Sequence, residues 1–574
     1  MSVPITVHES TSVPQGKSYT PPDKRIWYTR VGGLFLGIVL AIIVFLIFPD
    51  NAGDIAQGAA TASGADEAAL KGMTTFNMKI AAATAVLMGA WWMTEALPLP
   101  ATALMPLVMF PVSQAATIKS AAAPYASDII FLFLGGFLLA LAMQRWNLHR
   151  RIALRTVLLV GTKPRQLVLG FMMATGFMSM WVSNTATAVM MLPIGLSVLQ
   201  LVSALVPETQ LDEAAEIETD MGELARDATK GGMAAAIGSG AADLVETIKK
   251  KAGHHSNFAV SLMLGIAYAA SIGSLGTPIG TPPNTLMVGY MKEAHGITIG
   301  FGQWMIVGVP LAVTFLILGW AVLTFFLFPP EIKNIPGGRD LIHEELKKMG
   351  RMSVAEKQLT FLFILAALSW IFVPFITQKW FPEIAIDDAT IAMILGVLLF
   401  MVPSDPKNGV RLINWDTAKD VPWDVLLLFG GGLALSSQFS KTGLSMWIGE
   451  QAKGLGGLPI LVIVIIVTLM VLGLTEMTSN TATAAAFLPI MGGVALGLGY
   501  SGINVMILVV PVALAATCAF MLPVATPPNA IAYGSGYVRM TEMIKAGIWL
   551  NVIAVTLITI TVFTLLIPVF GLTV

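Results

Sequence analysis

The chain has 574 residues, of which 56% are hydrophobic and only 12% are charged, and its net charge at pH 7 is −1. A soluble domain carries roughly a quarter of its residues as charges, so this composition excludes an ordinary soluble protein. The near-zero net charge gives no electrostatic basis for nucleic-acid binding. The single cysteine, Cys518, excludes an intramolecular disulfide and any cysteine-based metal site.

Residues 1–30 are polar and end in basic residues, which predicts a disordered cytoplasmic tail ahead of an uncleaved helix that starts at Val31. Apolar runs that are long enough to cross a bilayer then recur, since a spanning helix needs about 20 mostly apolar residues. Lys and Arg are concentrated in the tail and in the segments 145–165 and 330–357, whereas the loop 50–72 is acidic, which places the N-terminus in the cytoplasm. The predicted spans lie at about 31–49, 76–96, 98–115, 127–148, 258–291, 303–329, 358–378, 387–403, 423–447, 505–535 and 546–570.

Two further apolar segments, 166–204 and 457–498, do not fit as single crossings, because the basic loops after them would then lie on the wrong side of the membrane. Each has Ser, Asn and Thr at its midpoint, which favours a hairpin that enters and leaves on one face. The predicted fold is therefore an all-α polytopic membrane protein with about 11 transmembrane helices plus two re-entrant hairpins, and with its C-terminus outside.

The same motifs recur in the same order in both halves of the chain. The segment Trp181 to Ala188 resembles Met477 to Ala484, and the apolar run that starts at Asp128 resembles the run that starts at Asp424 at the same spacing. A third pair is the Thr-Pro-Pro-Asn sequence at 281–284 and at 526–529.

An odd number of elements separates the two copies, so they are predicted to form inverted-topology repeats, the architecture of secondary transporters. The predicted units are the first helix and external loop at 31–75, the first repeat at 76–329, a cytoplasmic linker at 330–357 and the second repeat at 358–574. The polar stretch 206–256 is predicted to be a cytoplasmic insertion in the first repeat only.

Ser, Thr and Asn are the preferred N-cap residues of helices, so the two Ser-Asn-Thr motifs are expected to cap the second helix of each hairpin. Thr281 and Thr526 are expected to be helix caps as well, and each precedes prolines, which suit the first position of a helix. Each Thr-Pro-Pro is therefore expected to break a span at the midplane. Four helix N-termini could then converge, each with an effective charge of about +0.5, which suits an anion of charge near −2.

Apart from Lys292 at the end of a span, no Lys or Arg lies close to these motifs in the sequence. A dianion bound there needs positive charge from helix dipoles and from co-bound cations. Na⁺ prefers hard oxygen ligands, as Mg²⁺ and Ca²⁺ do. The hydroxyls of Ser179 and Thr475, the amides of Asn184 and Asn480, and carbonyls near Gly280 and Ala525 can supply those oxygens.

Ionisable residues inside spans are candidates for function. Glu476 lies nearest to a motif, but its counterpart in the first half is Met180, so a role shared by both halves is not expected. A structural hydrogen bond and a role in coupling both remain open for Glu476.

The paired Ser-Asn-Thr motifs, the Thr-Pro-Pro-Asn segments and the Trp-Trp-Met-Thr-Glu-Ala-Leu-Pro run at 91–98 resemble the divalent anion/sodium symporter family over about residues 30–574. The resemblance implies a homodimer in the plasma (inner) membrane, in which a transport domain that contains both hairpins moves as an elevator against a scaffold. It also implies site residues. The first sodium site would use Ser179, Ser183, Asn184 and Gly280, the second would use Thr475, Thr478, Asn480 and Ala525, and the substrate carboxylates would meet Asn184, Thr185, Asn480, Thr481, Thr526 and Pro527.

The predicted function is sodium-coupled symport of C4-dicarboxylates such as succinate, malate and fumarate. The alternatives within transporters are a sodium-independent dicarboxylate exchanger and a sodium/sulfate symporter. A membrane-embedded enzyme is disfavoured, because the sequence has no His-Glu-x-x-His, Gly-x-Ser-x-Gly or Walker motif.

Overall fold

The computed structural model describes residues 24–62, 67–161, 163–205, 256–332, 338–380 and 386–573. In this part of the chain helices predominate, in agreement with the predicted all-α class. The helices of the first half are α1 (Lys24–Ile47), α2 (Ala52–Ala62), α3 (Glu67–Leu70), α4 (Thr75–Thr94), α5 (Leu99–Thr102), α6 (Pro106–Val112), α7 (Ile118–Ala122), α8 (Asp128–Arg145), α9 (Leu148–Val160), α10 (Pro164–Ser179), α11 (Asn184–Leu205), α12 (Asn257–Gly273), α13 (Pro282–His295) and α14 (Phe301–Ala321).

The linker and the second half follow. Their helices are α15 (Gly338–Lys348), α16 (Val354–Trp380), α17 (Asp388–Met401), α18 (Trp415–Ala418), α19 (Trp423–Lys441), α20 (Leu444–Ala452), α21 (Ile460–Thr475), α22 (Asn480–Gly497), α23 (Met506–Thr517), α24 (Pro527–Gly534), α25 (Met540–Thr561) and α26 (Ile567–Phe570). A two-stranded antiparallel ribbon, β1 (Pro403–Asp405) and β2 (Val410–Arg411), pairs Pro403 with Arg411 and Asp405 with Val410. Turns of π-helix extend α14 and α25 at Val322–Leu327 and Val562–Leu566.

The burial pattern is that of a membrane protein. Seven helices in the described ranges are long and apolar enough to cross a bilayer. From Val31 to Ile47 the outer helix α1 is wholly apolar and yet exposes most of its side chains, with Leu46 at 71% and Ile47 at 73%. Such faces suit lipid, which is as apolar as the side chains themselves.

The centre of the molecule is formed by α12 and α23. Every residue from Phe258 to Gly273 in α12, and every residue of α23, is buried. Each of these helices ends abruptly and is followed by an irregular stretch before a second helix, α13 or α24, begins at a Thr-Pro-Pro sequence. We call α12–α13 and α23–α24 the first and second broken helices. Irregular backbone at this depth is tolerated because it is enclosed by protein.

Three boundaries differ from the sequence-based expectation. Residues 24–30, assigned to a disordered tail, belong to α1. The half-exposed Arg30 can keep its charged group in water while the backbone stays helical, and it reaches Glu95 at 3.6 Å. The loop 50–72 contains the Ala-rich helix α2. The span predicted at 98–115 consists of two short helices, each with a proline in its first turn, where the missing N–H costs no intrahelical bond.

The insertion predicted at 206–256 lies outside the described residues except for Ser256. The Ser256 hydroxyl accepts a hydrogen bond of 3.2 Å from the Phe258 N–H and so caps α12. The predicted tail 1–23 also lies outside the described residues.

Candidate functional site

The two Ser-Asn-Thr motifs lie where two consecutive helices meet, as predicted. The first arm of the first hairpin, α10, ends at Ser179, and the return arm, α11, begins at Asn184. In the second hairpin α21 ends at Thr475 and α22 begins at Asn480. Ser179 and Thr475 are fully buried, whereas the turn residues 183–185 and 479–481 are only half-buried. Each turn therefore has a closed inner side and a side that a solute can reach.

An oxygen cluster of the same design lies behind each turn. In the first cluster the Ser179 hydroxyl lies 2.9 Å from Asn184 Oδ1 and 2.5 Å from the carbonyl oxygen of Ala270. In the second cluster the Thr475 hydroxyl lies 2.7 Å from Asn480 Oδ1 and 2.7 Å from the carbonyl oxygen of Ala516.

Each cluster contains more oxygen atoms than protons. A hydroxyl has one proton to donate, whereas an amide oxygen and a backbone carbonyl only accept. Ala270 and Ala516 lie in the last turns of α12 and α23, where carbonyls lack intrahelical partners and the helix dipole is negative. Three oxygens that share one proton at the negative end of a helix form an environment suited to a cation.

The Thr-Pro-Pro-Asn sequences also begin helices as predicted, but their threonines behave differently. The Thr526 hydroxyl accepts from the Asn529 N–H at 3.3 Å and caps α24. Thr281 has the extended backbone of an N-cap but makes no capping bond, and its hydroxyl instead lies 3.4 Å from that of Thr517. The expected cap at Thr281 is therefore wrong, because its hydroxyl faces the other broken helix.

Two asparagines for which no role was predicted stabilise the irregular backbone of the breaks. The Asn284 side-chain amide donates to the carbonyl of Thr277 at 3.0 Å and lies within 3.4 Å of the carbonyl of Ser274. The Asn529 amide donates at 3.1 Å to the carbonyls of Ala519 and Leu522, which are the same distances away in sequence. Their position at the third residue of a helix after Thr-Pro-Pro, identical in both halves, was the signal that could have identified them.

Gly280 and Ala525 occupy equivalent places just before α13 and α24. The Gly280 N–H donates to the Thr277 carbonyl at 3.4 Å, and the Ala525 N–H donates to the Leu522 carbonyl at 3.2 Å. A methyl group on Gly280 would lie 2.3 Å from the carbonyl oxygen of Ser274, so the first break has no room for the alanine that the second break carries. Both residues are buried, whereas Pro527 is exposed.

Ser183 and Thr478 are not equivalent to one another. The Ser183 hydroxyl accepts from the Ala186 N–H at 3.3 Å and caps α11 as expected, whereas Ser479 makes no such bond. The Thr478 hydroxyl lies 2.7 Å from the Thr483 hydroxyl and donates to the Leu474 carbonyl at 3.0 Å. Thr478 therefore already has partners within its own hairpin.

The hairpins and the broken helices interlock across the two halves. The first hairpin packs through α10 against α12 and through α11 against α24, whereas the second packs through α21 against α23 and through α22 against α13. This packing brings the return arm of each hairpin against the broken helix of the opposite half.

This chain is similar to known transport proteins over most of its length. The family model described as "Sodium:sulfate symporter transmembrane region" matches residues 69–572. The sodium-dependent dicarboxylate transporter SdcS of Staphylococcus saprophyticus is 41% identical over 541 residues, which cover 94% of this chain and 92% of that protein. SdcS of Staphylococcus aureus strain USA300 is 42% identical over 474 residues, which cover 82% of this chain and 83% of that protein.

Among solved structures, the YdaH transporter of Alcanivorax borkumensis matches 85% of this chain and 98% of its own with a TM-score of 0.48 and 12% identity, a similarity too low to add to the assignment. The family match over residues 69–572 and the identity to relatives over most of their length establish the family of this chain. The chain is a membrane transporter, not an enzyme, and it belongs to the sodium:sulfate symporter family, the divalent anion/sodium symporters that its doubled motifs resemble.

Proposed function

We propose that this protein carries C4-dicarboxylates such as succinate, malate and fumarate across the plasma membrane by symport with Na⁺. The observation that carries the proposal is the pair of oxygen clusters behind the Ser-Asn-Thr turns, each with three oxygens that share one proton. The dicarboxylate specificity of the SdcS relatives supports the substrate class.

The first sodium ion is assigned to Ser179, Ser183, Asn184 and Gly280, and the second to Thr475, Thr478, Asn480 and Ala525. Hydroxyl, amide and carbonyl oxygens are the ligands that a hard cation prefers. In the second site the Thr478 hydroxyl is the ligand least available to a cation, because it already bonds the Thr483 hydroxyl and the Leu474 carbonyl. The Ala516 carbonyl, which lies at the C-terminus of α23 and beside Thr475, is a stronger candidate.

The substrate carboxylates are assigned to Asn184, Thr185, Asn480, Thr481, Thr526 and Pro527. Because Asn184 and Asn480 turn their amide oxygens toward the clusters, their NH₂ groups point away and can donate to a carboxylate. The same two side chains would then hold the cation through oxygen and the anion through nitrogen. Binding of one ion would orient the amide for the other, which is a direct route to coupling.

For translocation we propose inverted repeats in a homodimer, with both hairpins and both broken helices moving as an elevator against a scaffold that contains α8, and with the N-terminus inside and the C-terminus outside. A contact between the two parts is available for a test. Lys292 at the end of α13 pairs with Asp128 of α8, and the adjacent Ser127 hydroxyl donates to Glu293 at 3.1 Å. A thiol cross-link between Ser127→Cys and Glu293→Cys should stop uptake, and reduction should restore it. Uptake at the full rate in the cross-linked protein would contradict the elevator.

Two other functions would use the same turns, namely sodium-independent dicarboxylate exchange and sodium/sulfate symport. Competition against labelled succinate uptake in proteoliposomes separates the substrates. Excess unlabelled malate or fumarate should abolish the signal, whereas sulfate should leave most of it. Strong competition by sulfate and weak competition by malate would reverse the assignment.

A further inference from the structure

The carboxylate of Glu476 lies in the break of the second broken helix. Glu476 is the residue after Thr475 at the end of α21, and it is only 5% exposed. Its two oxygens accept from three successive backbone N–H groups, those of Phe520, Met521 and Leu522, at 2.8 to 3.3 Å. Successive N–H groups of this kind form a concavity that binds anions.

A further donor comes from a third element. The Asn551 side-chain amide in α25 donates to Glu476 Oε1 at 2.8 Å. Every partner of Glu476 is a donor, so the carboxylate acts only as an acceptor, which is the pattern of the ionised form. A buried charge is tolerated when its hydrogen bonds are satisfied, as they are here.

In the first half an apolar side chain, that of Met180, occupies the place equivalent to Glu476. Asn284 bonds to the carbonyls ten and seven residues before it, as Asn529 does, so Gly276 in the first break corresponds to Met521 in the second. A Cβ atom on Gly276 would lie 3.1 Å from the Met180 side chain, so Met180 packs against the first break. At the equivalent place in the second break, the Glu476 carboxylate bonds the backbone N–H groups. The difference between the two residues is therefore a difference in how the breaks are held.

We infer that Glu476, supported by Asn551, is a positioning residue for the second sodium site, an inference that rests on the proposed function. The residue connects two walls of that site, because it follows Thr475 directly in the chain and its carboxylate holds the stretch that leads to Ala525. It also places a carboxylate that accepts from all of its described partners beside the site. Among the described residues, the first sodium site has neither this connection nor a carboxylate beside it. The two sodium sites therefore differ in affinity, and the second is the more strongly pre-formed.

The test is the sodium dependence of succinate uptake by full-length protein in proteoliposomes. Glu476→Gln keeps the shape but removes the charge and turns an NH₂ group toward backbone donors. It should raise the half-saturating Na⁺ concentration by about tenfold, as expected when one charge-assisted hydrogen bond is lost. The KM for succinate at saturating Na⁺ should change little. The control Glu542→Gln removes a carboxylate that caps the exposed start of α25, where it accepts from the Arg539 N–H at 2.7 Å, and it should leave the sodium dependence unchanged.

A purely structural role predicts less inserted protein and a lower kcat with an unchanged sodium dependence, and that result would overturn the inference. Should Glu476→Gln not fold, Asn551→Ala removes one donor only, and it should raise the half-saturating Na⁺ concentration to a smaller extent. An unchanged half-saturating Na⁺ concentration in Asn551→Ala would also contradict the positioning role of Glu476. Uptake by the parent protein that ignores Na⁺ would instead contradict the proposed function, so the two failures are distinguishable.

The chain supplies its own structural reporter. Cys518, the only cysteine, is buried at the start of the same break. Alkylation of Cys518 by a membrane-permeable maleimide should be several-fold faster in Glu476→Gln than in the parent protein or in Glu542→Gln. Equal rates in the three proteins would contradict the idea that Glu476 holds this stretch in place.

Discussion

Replacement of Thr475 by valine tests the second oxygen cluster with almost no change in volume. The substitution removes one oxygen from the cluster and leaves the Asn480 amide oxygen and the Ala516 carbonyl without their shared donor. Loss of such a contact at a buried site costs about 1–3 kcal/mol. If that loss falls on sodium binding, the half-saturating Na⁺ concentration should rise by about 5- to 150-fold.

The assay is succinate uptake into proteoliposomes over a titration of Na⁺ against K⁺ at constant ionic strength. Thr475→Ser, which restores the hydroxyl, should return close to the parent value. Thr468→Val is the matched control, because Thr468 is equally buried on the same helix and its hydroxyl only bonds the Val464 carbonyl one turn earlier, at 2.7 Å. The same sodium dependence in Thr475→Val and Thr468→Val would refute a cation at this cluster.

Three further predictions concern the Ser-Asn-Thr turns, a buried ion pair and the stretch 210–252. Asn184→Ala and Asn480→Ala should each abolish uptake, since each removes both a cation ligand and an anion donor. The size-exclusion profiles should stay those of the folded protein. Normal transport in either variant would refute the site assignment. Glu356→Gln should lower the free energy of unfolding by about 3–5 kcal/mol. The reason is that the buried Arg151 guanidinium, which lies 2.7 Å from the Glu356 carboxylate, loses its charge partner. The control Glu344→Gln changes an exposed carboxylate and should leave the melting temperature unchanged. Deletion of residues 210–252 should leave uptake largely intact, and its loss in a correctly inserted protein would show that this stretch is not peripheral.

The breaks in the helices were predictable from sequence because they depend on local chemistry. Ser-Asn-Thr and Thr-Pro-Pro are start signals for helices, and the structure begins α11, α22, α13 and α24 at these motifs. The recurrence of the motifs in both halves also identified which hydroxyls and amides to pair, and Ser179 and Thr475 do contact Asn184 and Asn480.

What could not be predicted depends on partners that are distant in the chain. Thr281 and Thr526 occupy the same local sequence, but only Thr526 caps its helix, because the Thr281 hydroxyl faces Thr517 of the other half. The sequence leaves both a structural hydrogen bond and a role in coupling open for Glu476, because its partners lie 44 or more residues away, in the break and in α25. Symmetry in the sequence thus indicated the shared design of the two halves and the residue by which they differ, but not the partners of that residue.

In the proposed function, sodium bound at the oxygen clusters drives dicarboxylate transport. The most direct measurement is radiolabelled succinate uptake into proteoliposomes under inward gradients of Na⁺, K⁺ or H⁺. Concentrative uptake with Na⁺ alone is the predicted result. Uptake that is indifferent to Na⁺ and depends on dicarboxylate inside the vesicle would contradict the claim and make the protein an exchanger.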